Sequence, residues 1–151
     1  MSSSHAIADV QTGEMHYVQQ YVRSNYGFGK NEEGKRHMVL GARAAQILMG
    51  NGYPASAYRL LMFLCLETDE TCIIRYTQAE MAEHTGMSLT TIERSMAALR
   101  AGNHVYRTGP VLNLNPLTAF TGSGAEHQKA IARMPEHLRD EATVRHLHPV
   151  S

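Results

Sequence analysis

The chain has 151 residues, which is enough for one domain with flexible ends, and 43% of them are hydrophobic, enough to form a core. It carries 14 basic and 14 acidic residues, and this zero net charge argues against a non-specific, charge-driven nucleic-acid binder. No apolar run is long enough to span a membrane, and the N-terminus lacks the pattern of a secretory signal. Cys65 and Cys72 have no partners at zinc-ligand spacing, so we expect a cytoplasmic protein with reduced cysteines and neither metal nor other cofactor.

The first third of the chain gives weak secondary-structure signals. Residues 1–11 are small and polar, which predicts a flexible terminus. Residues 15–29 contain many β-branched and aromatic side chains and predict a strand or an extended arm, which Gly27 and Gly29 interrupt. Residues 36–50 predict a helix. The apolar face of that helix consists of Leu40, Ala44, Ile47 and Leu48.

Residues 57–66 are apolar nearly all round and predict a central helix that is buried on several sides. An acidic turn follows and leads to residues 72–76, a short β-branched run that predicts a strand. Cys65 and His84 are the residue types of a nucleophile and its base, but a thiol in so apolar a stretch is usually inert. The chain also lacks the glycine-rich loop that holds nucleotide phosphates in ATPases. We therefore expect no enzymatic activity.

The strongest pattern lies at residues 77–99, which predict two short helices joined by a tight turn. Thr77 and Glu80 have the spacing of a capping box, in which each side chain satisfies a backbone N–H group at a helix start. Gly86 stands where the first helix must end, because glycine takes the left-handed conformation without steric cost. This arrangement predicts a helix-turn-helix, although purely structural helical hairpins share these features.

Ser88 predicts the start of the second helix, and Thr90 with Glu93 offers an overlapping capping box. Spacings of four and three residues predict a buried stripe of Ile92, Met96 and Leu99. The other face carries short side chains and one arginine, which can approach base edges without blocking the groove of DNA. These residues are Ser88, Thr90, Thr91, Arg94 and Ala97. The second helix is therefore the predicted recognition helix.

Residues 104–114 alternate apolar and polar side chains around the turn cluster Thr108-Gly109-Pro110. A β-hairpin directly after a recognition helix is the wing of a winged helix, and residues 72–76 then predict a third strand beside it. The predicted fold class is α+β, mainly helical: a winged helix-turn-helix with a small antiparallel β-sheet. The predicted organisation is a flexible N-terminus at 1–11, a winged-helix DNA-binding domain with an N-terminal arm at 12–134, and a loosely held polar tail at 135–151.

The predicted DNA-binding residues are Thr77, Ser88, Thr90, Thr91, Arg94, Arg100 and Arg107. Arg94 is the best candidate for a base contact, because arginine binds guanine with two hydrogen bonds. Arg100 and Arg107 are candidates for phosphates, with an exposed side chain lacking any partner as the alternative. Thr90 and Thr91 are candidates for a thymine methyl group or a phosphate. Ser88 is more secure as a helix cap than as a DNA contact.

Two further sequence patterns support weaker hypotheses. His146-Leu147-His148 is the pattern with which rolling-circle nickases hold a metal, but only three residues follow it, which leaves no place for a downstream catalytic tyrosine. Six of the nine methionines lie in or near predicted helices, which raises the alternative of a methionine-lined effector pocket. Methionine more often fills gaps in a protein core than lines an effector pocket.

A succession of short motifs carries a resemblance to a known family. The predicted wing runs into Leu112-Asn113-Leu114-Asn115-Pro116, followed by Phe120, Gly122 and a short helix. Thr12-Gly13-Glu14, Phe28 with Lys30, and the recognition helix SLTTIERSMAAL precede it. In these features, over roughly residues 10–130, the chain resembles the RepL-type plasmid replication proteins. It departs from them in Gly109-Pro110, in a less basic surface and in the histidine-containing tail.

The resemblance implies a winged-helix protein that binds plasmid origin DNA to start replication, with repression of its own promoter as an additional role. The first hypothesis is therefore a sequence-specific binder of double-stranded DNA, either a replication initiator or a transcriptional repressor of MarR-like or autoregulatory type. The second is a winged helix used only for protein contacts, which the zero net charge favours. Because most helix-turn-helix proteins bind two half-sites about 34 Å apart, we expect a homodimer and no membrane partner.

Overall fold

The computed structural model of the chain describes residues 4–8, 15–19, 38–50 and 52–147. The chain divides into two units, Met1–His37 and Met38–Ser151. In the first unit, β1 (Ser4–Ala8) and β2 (Met15–Gln19) form an antiparallel pair. The N-terminal segment predicted to be flexible thus contains a strand, and the predicted arm contains the other. The early motif residues Thr12, Gly13, Glu14, Phe28 and Lys30 lie outside the described residues.

The second unit combines helices with short antiparallel strand pairs. In chain order its elements are β3 (Val39–Leu40), α1 (Ala42–Leu48), α2 (Ala55–Glu67), α3 (Gln78–Thr85), α4 (Leu89–Ala101), β4 (Val105–Thr108), β5 (Val111–Leu114), β6 (Ala119–Phe120) and α5 (Gly124–Arg133), followed by 3₁₀ turns at Glu136–Leu138 and Glu141–Thr143. Strand β4 pairs with β5, and β3 pairs with β6. The predicted fold class, mainly helical α+β, is confirmed. None of the described helices is both long and apolar enough to cross a membrane.

Helix α2 is the central helix, as the sequence predicts. Leu60, Leu61 and Leu64 are at most 1% exposed, and each such burial contributes about 1.5–3 kcal/mol to stability. Helix α4 packs against α2 and contributes its predicted stripe of Ile92, Met96 and Leu99 to the same core. A hydrogen bond of 2.6 Å between the hydroxyls of Ser56 and Ser95 joins the two helices. Helix α4 is therefore anchored along its whole inner face.

Helix α1 is shorter than the predicted helix at residues 36–50. Leu40, assigned to its apolar face, lies instead in β3 opposite Ala119 and is 38% exposed. The cause is a close approach of distant backbone: the Gly41 N–H group donates to the Thr118 carbonyl at 2.8 Å. A Cβ atom on Gly41 would stand 2.6 Å from the Leu117 carbonyl oxygen, so this approach requires glycine. The rest of the predicted face, Ala44, Ile47 and Leu48, is buried.

Residues 72–76 do not form the predicted third strand. Ile73 makes a single antiparallel bridge to Asn113 in β5, and the Leu114 N–H group donates to the Cys72 carbonyl at 2.8 Å. Cys72 has a φ of +64°, which interrupts the extended backbone that a strand needs. The run therefore joins the hairpin over one bridge only.

The expectation of a loosely held tail is wrong for residues 135–147. Val144 is 1% exposed and belongs to the main core. The Arg145 backbone N–H group donates to the Gly102 carbonyl at 3.3 Å, and its Nε donates to the Ala101 carbonyl at 3.0 Å. A cation at the C-terminal carbonyls of α4 also complements the helix dipole. The tail thus stabilises the end of α4.

Candidate nucleic-acid interface

The first helix of the helix-turn-helix begins with the predicted capping box. The Thr77 hydroxyl accepts a hydrogen bond from the Glu80 N–H group at 3.1 Å, and the Thr77 N–H group donates to the Glu80 carboxylate at 2.9 Å. The backbone hydrogen bond from Thr77 holds the pKa of Glu80 below its usual value. Thr77 is exposed, so this cap lies at the protein surface.

The turn between the helices is fixed by two residues. Gly86 has a φ of +74°, and a Cβ atom added there would meet no other atom within 4 Å, so backbone conformation rather than space requires glycine. The Arg59 guanidinium of α2 donates to the Thr85 carbonyl at 2.7 Å and satisfies the end of α3. Sequence reasoning missed Arg59, although the signal was present: it is the one charged side chain in the apolar stretch 57–66.

The second helix begins at Leu89 with Ser88 as its N-cap. The Thr91 N–H group donates to the Ser88 hydroxyl at 3.2 Å, and the Ser88 hydroxyl donates to the Thr91 hydroxyl at 2.8 Å. The overlapping capping box of Thr90 with Glu93 is wrong, because Thr90 already lies inside the helix. The hydroxyls of Ser88 and Thr91 therefore support the helix start, whereas the Thr90 side chain remains exposed.

The outer face of α4 presents one line of exposed side chains. Thr90, Arg94, Ala97 and Ala101 follow one another at spacings of four, three and four residues, which places them on one stripe of a helix. Arg94 has no hydrogen bond or ion pair with any residue that the structure describes. The small side chains of Ala97 and Ala101 leave the space beside Arg94 open. A helix of this shape can lie close to the floor of the major groove.

Arg100 and Arg107 lie apart from that line, at a groove between α4 and the β4–β5 hairpin. We call this the wing groove; it has a volume of about 370 Å³ and also contacts Thr77 and Gln78 at the start of α3. The Arg107 guanidinium donates to the Pro110 carbonyl at 3.5 Å. The predicted site residues thus fall into two groups. Thr77, Arg100 and Arg107 line the wing groove, and Ser88, Thr90, Thr91 and Arg94 lie at the start and in the first half of α4.

The hairpin itself is held in shape by its turn and by one asparagine. Gly109 has a φ of +60° at the first of two turn positions, as in a type II′ turn, which matches the twist of the strands. The Asn113 amide donates to the Thr108 hydroxyl at 3.0 Å and to the Val111 carbonyl at 3.3 Å. Asn113 is 7% exposed, so its role is to support the hairpin rather than to contact a ligand.

Helix α4 ends in a Schellman motif. The His104 N–H group donates to the Leu99 carbonyl at 2.9 Å and the Asn103 N–H group donates to the Arg100 carbonyl at 3.0 Å. Asn103 has a φ of +62°, the left-handed conformation that asparagine tolerates better than most residues. The chain then enters β4 directly, so the geometry of this cap sets the direction of the hairpin.

Asn115 ties this helix end to the exit of the hairpin. Its amide donates to the Asn103 carbonyl at 2.7 Å, and its side-chain oxygen accepts from the Leu117 N–H group at 2.8 Å. Its own N–H group donates to the His104 carbonyl at 2.8 Å, and the residue is fully buried. Helix α4 and the hairpin are therefore held in a fixed relation by a polar cluster of half-buried Asn103 and buried His104, Asn115 and Thr118, which we call the junction cluster.

The residues considered for catalysis are not arranged for it. Burial raises the pKa of Cys65 to about 12, so its thiol stays protonated at neutral pH. The His84 ring contacts Phe63 and Tyr76, with ring centroids 5.9 and 5.2 Å away. Within the described residues no three His, Cys, Asp or Glu side chains group to hold a metal ion. His146 lies outside any strand, and His148 lies outside the described residues.

Comparison with known families identifies the chain by a profile that covers most of its length. The chain matches the profile described as "Firmicute plasmid replication protein (RepL)" over residues 2–146. No curated protein and no solved structure is significantly similar to the chain. The matched region contains the helix-turn-helix, the hairpin and the packed part of the tail, and it extends beyond the residues that carry the resemblance in the sequence. The chain belongs to the RepL family of plasmid replication proteins.

Proposed function

We propose that this plasmid replication protein binds double-stranded DNA in a sequence-specific way and thereby initiates or controls replication at an origin. Helix α4 would lie in the major groove and the hairpin beside it. The observation that carries the proposal is the exposed line of Thr90, Arg94 and Ala97 on a helix whose opposite face is fixed in the core. A rigid helix with one free guanidinium between small side chains suits the reading of base edges.

The charge of the chain supports specific rather than general binding. A protein with zero net charge has no general attraction to the phosphate backbone, so its affinity must depend on a few well-placed contacts. In this proposal Arg94 reads a base, and Arg100 and Arg107 hold phosphates on either side of the wing groove. The side chain of Thr90 is the candidate for contact with a thymine methyl group or a phosphate. Thr77, Ser88 and Thr91 would act mainly by fixing the helix ends.

The Arg94→Ala variant is expected to bind origin DNA more weakly by about 1–3 kcal/mol, because it loses a two-bond contact to a base. Its binding to a scrambled duplex and its melting temperature should not change. Fluorescence anisotropy with duplexes that cover the origin of the encoding plasmid measures both affinities. An equal loss on both duplexes would remove Arg94 from the base-reading role.

The Arg107→Ala variant is the matched comparison. Loss of a phosphate contact should weaken binding to both duplexes. It should also reduce the slope of log K against the logarithm of the salt concentration by about 0.9. Arg94→Ala should leave that slope unchanged. A wild-type affinity that does not depend on salt for any duplex would instead favour a winged helix used for protein contacts, the hypothesis that the zero net charge supports.

We further propose that the protein acts in the cytoplasm as a homodimer, without a catalytic step or a bound cofactor. A dimer would protect two half-sites about 34 Å apart in a footprint, and a monomer would protect one. The position of the footprint separates the biological roles. Protection at the origin supports replication initiation, whereas protection of a promoter alone supports transcriptional repression.

A further inference from the structure

The wing groove is more apolar than a phosphate contact requires. Three of its lining side chains belong to the protein core: Ile74, Met81 and Met96, which are 8%, 0% and 2% exposed. Ile73 and Leu112 are half-buried and continue this apolar surface toward the hairpin. A volume of about 370 Å³ lies within the range of about 300–1,000 Å³ that small-molecule sites occupy. The groove thus has the size of a ligand site and a lining of mixed polar and apolar character.

The charges of the groove are of one sign. Arg100 and Arg107 are exposed and line it, and its lining residues, all in the described part of the chain, include no carboxylate. Arg100 forms no ion pair with a described residue, and Arg107 has only a hydrogen bond of 3.5 Å to the Pro110 carbonyl. Two guanidinium groups beside an apolar surface complement a ligand with an anionic end and an apolar body.

We propose that the wing groove binds a small amphipathic carboxylate, with its apolar body against the half-buried side chains of Ile73 and Leu112 and its carboxylate paired with Arg100 and Arg107. Met81 and Met96 form the buried floor behind this surface, where flexible methionine side chains can adjust to a ligand, and arginine pairs with carboxylates through two parallel hydrogen bonds. Binding of the ligand by the free protein does not depend on the proposed function. Because both arginines belong to the proposed DNA surface, ligand and DNA exclude each other, and this consequence does rest on that function.

The methionines themselves report occupancy of the groove. In the full-length protein with ¹³C-labelled methionine methyl groups, 2-naphthoate is expected to shift the Met81 and Met96 signals in a saturable way. Met134 is equally buried, at 1% exposed, but does not line the groove, so its signal should not move. If the Met81 and Met96 signals stay in place up to the solubility limit of 2-naphthoate, the proposal is wrong.

Variants that remove the arginine charges test whether the groove binds the carboxylate of the ligand. The double variant Arg100→Gln with Arg107→Gln should bind 2-naphthoate about tenfold more weakly or worse, since charge-assisted hydrogen bonds are lost. Arg94→Gln, on the same helix but outside the groove, should bind it like the wild type. The neutral analogue 2-naphthalenemethanol should bind the wild type about tenfold more weakly than 2-naphthoate and should be insensitive to the double variant. Equal binding of the neutral analogue would overturn the proposal.

A DNA titration separates this inference from the proposed function. At fixed ionic strength, 2-naphthoate should raise the dissociation constant for origin DNA, and acetate at the same concentration should not. A protein that shows the methyl shifts but binds no DNA would support the ligand site and contradict the proposed function. A protein that binds DNA but shows no methyl shifts would support the proposed function and contradict the ligand site.

Discussion

The Asn115→Ala variant is expected to lose about 3 kcal/mol of unfolding free energy, because truncation leaves two half-buried backbone groups without partners at about 1–3 kcal/mol each. These groups are the Asn103 carbonyl and the Leu117 N–H group, which the Asn115 side chain bonds at 2.7 and 2.8 Å. Asn115 is fully buried, so its side-chain hydrogen bonds are shielded from bulk water. Urea unfolding measured by circular dichroism gives the free energy.

Asn113→Ala is the matched control, since it changes the same residue type two positions away. Its amide donates to the half-buried Tyr106 carbonyl at 3.4 Å and to Thr108 and Val111, which are exposed on the hairpin, so water can replace the amide at these last two. We expect a loss of about 1 kcal/mol, the typical net value of one hydrogen bond. If the two alanine variants lost equal stability, Asn115 would have no special role at the junction of α4 and the hairpin.

The protein is expected to lose about 3 kcal/mol of stability as the pH falls from 7 to 4, through the titration of His104. Burial lowers the pKa of His104 from its ordinary 6.5 to about 4, and the residue is 0% exposed. Between these two values the unfolded chain binds a proton that the folded protein does not. Unfolding therefore becomes more favourable as the pH falls through this window, and stability is fully present above about pH 6.5.

The control for the acid effect is His104→Gln, which has no titrating group at this position. The variant should be less stable at neutral pH, because the hydrogen bond of 2.9 Å between His104 Nδ1 and the Thr118 hydroxyl changes. Its unfolding free energy should nevertheless fall much less steeply between pH 7 and pH 4. Parallel curves for the wild type and the variant would show that another group is responsible for the acid sensitivity.

The features that the sequence predicts correctly are local ones. The caps at Thr77, Gly86 and Ser88 depend on partners within four residues, so their chemistry is visible in the sequence. The inner and outer faces of α4 follow from helical periodicity in the same way. One local error, the capping box at Thr90, arose because two capping patterns overlap, and the helix begins after the earlier one, at Ser88.

The features that sequence reasoning missed depend on contacts between distant residues. Leu40 leaves the predicted helix because β3 pairs with a segment almost eighty residues later. The tail is held by Arg145 against the end of α4, which its polar composition does not indicate. The wing groove is built from α3, α4, the hairpin and the run at 72–76, and periodicity identifies its methionines only as apolar.

The central claim is that the exposed face of α4 reads a DNA sequence, and a selection from random duplex DNA at physiological salt tests it most directly. The full-length wild-type protein and Arg94→Gln are selected in parallel. We predict an enriched motif for the wild type, and for Arg94→Gln the same motif with the preference for guanine lost at one position in each half-site. No enrichment by the folded wild-type protein, or an identical motif for the variant, would contradict this account.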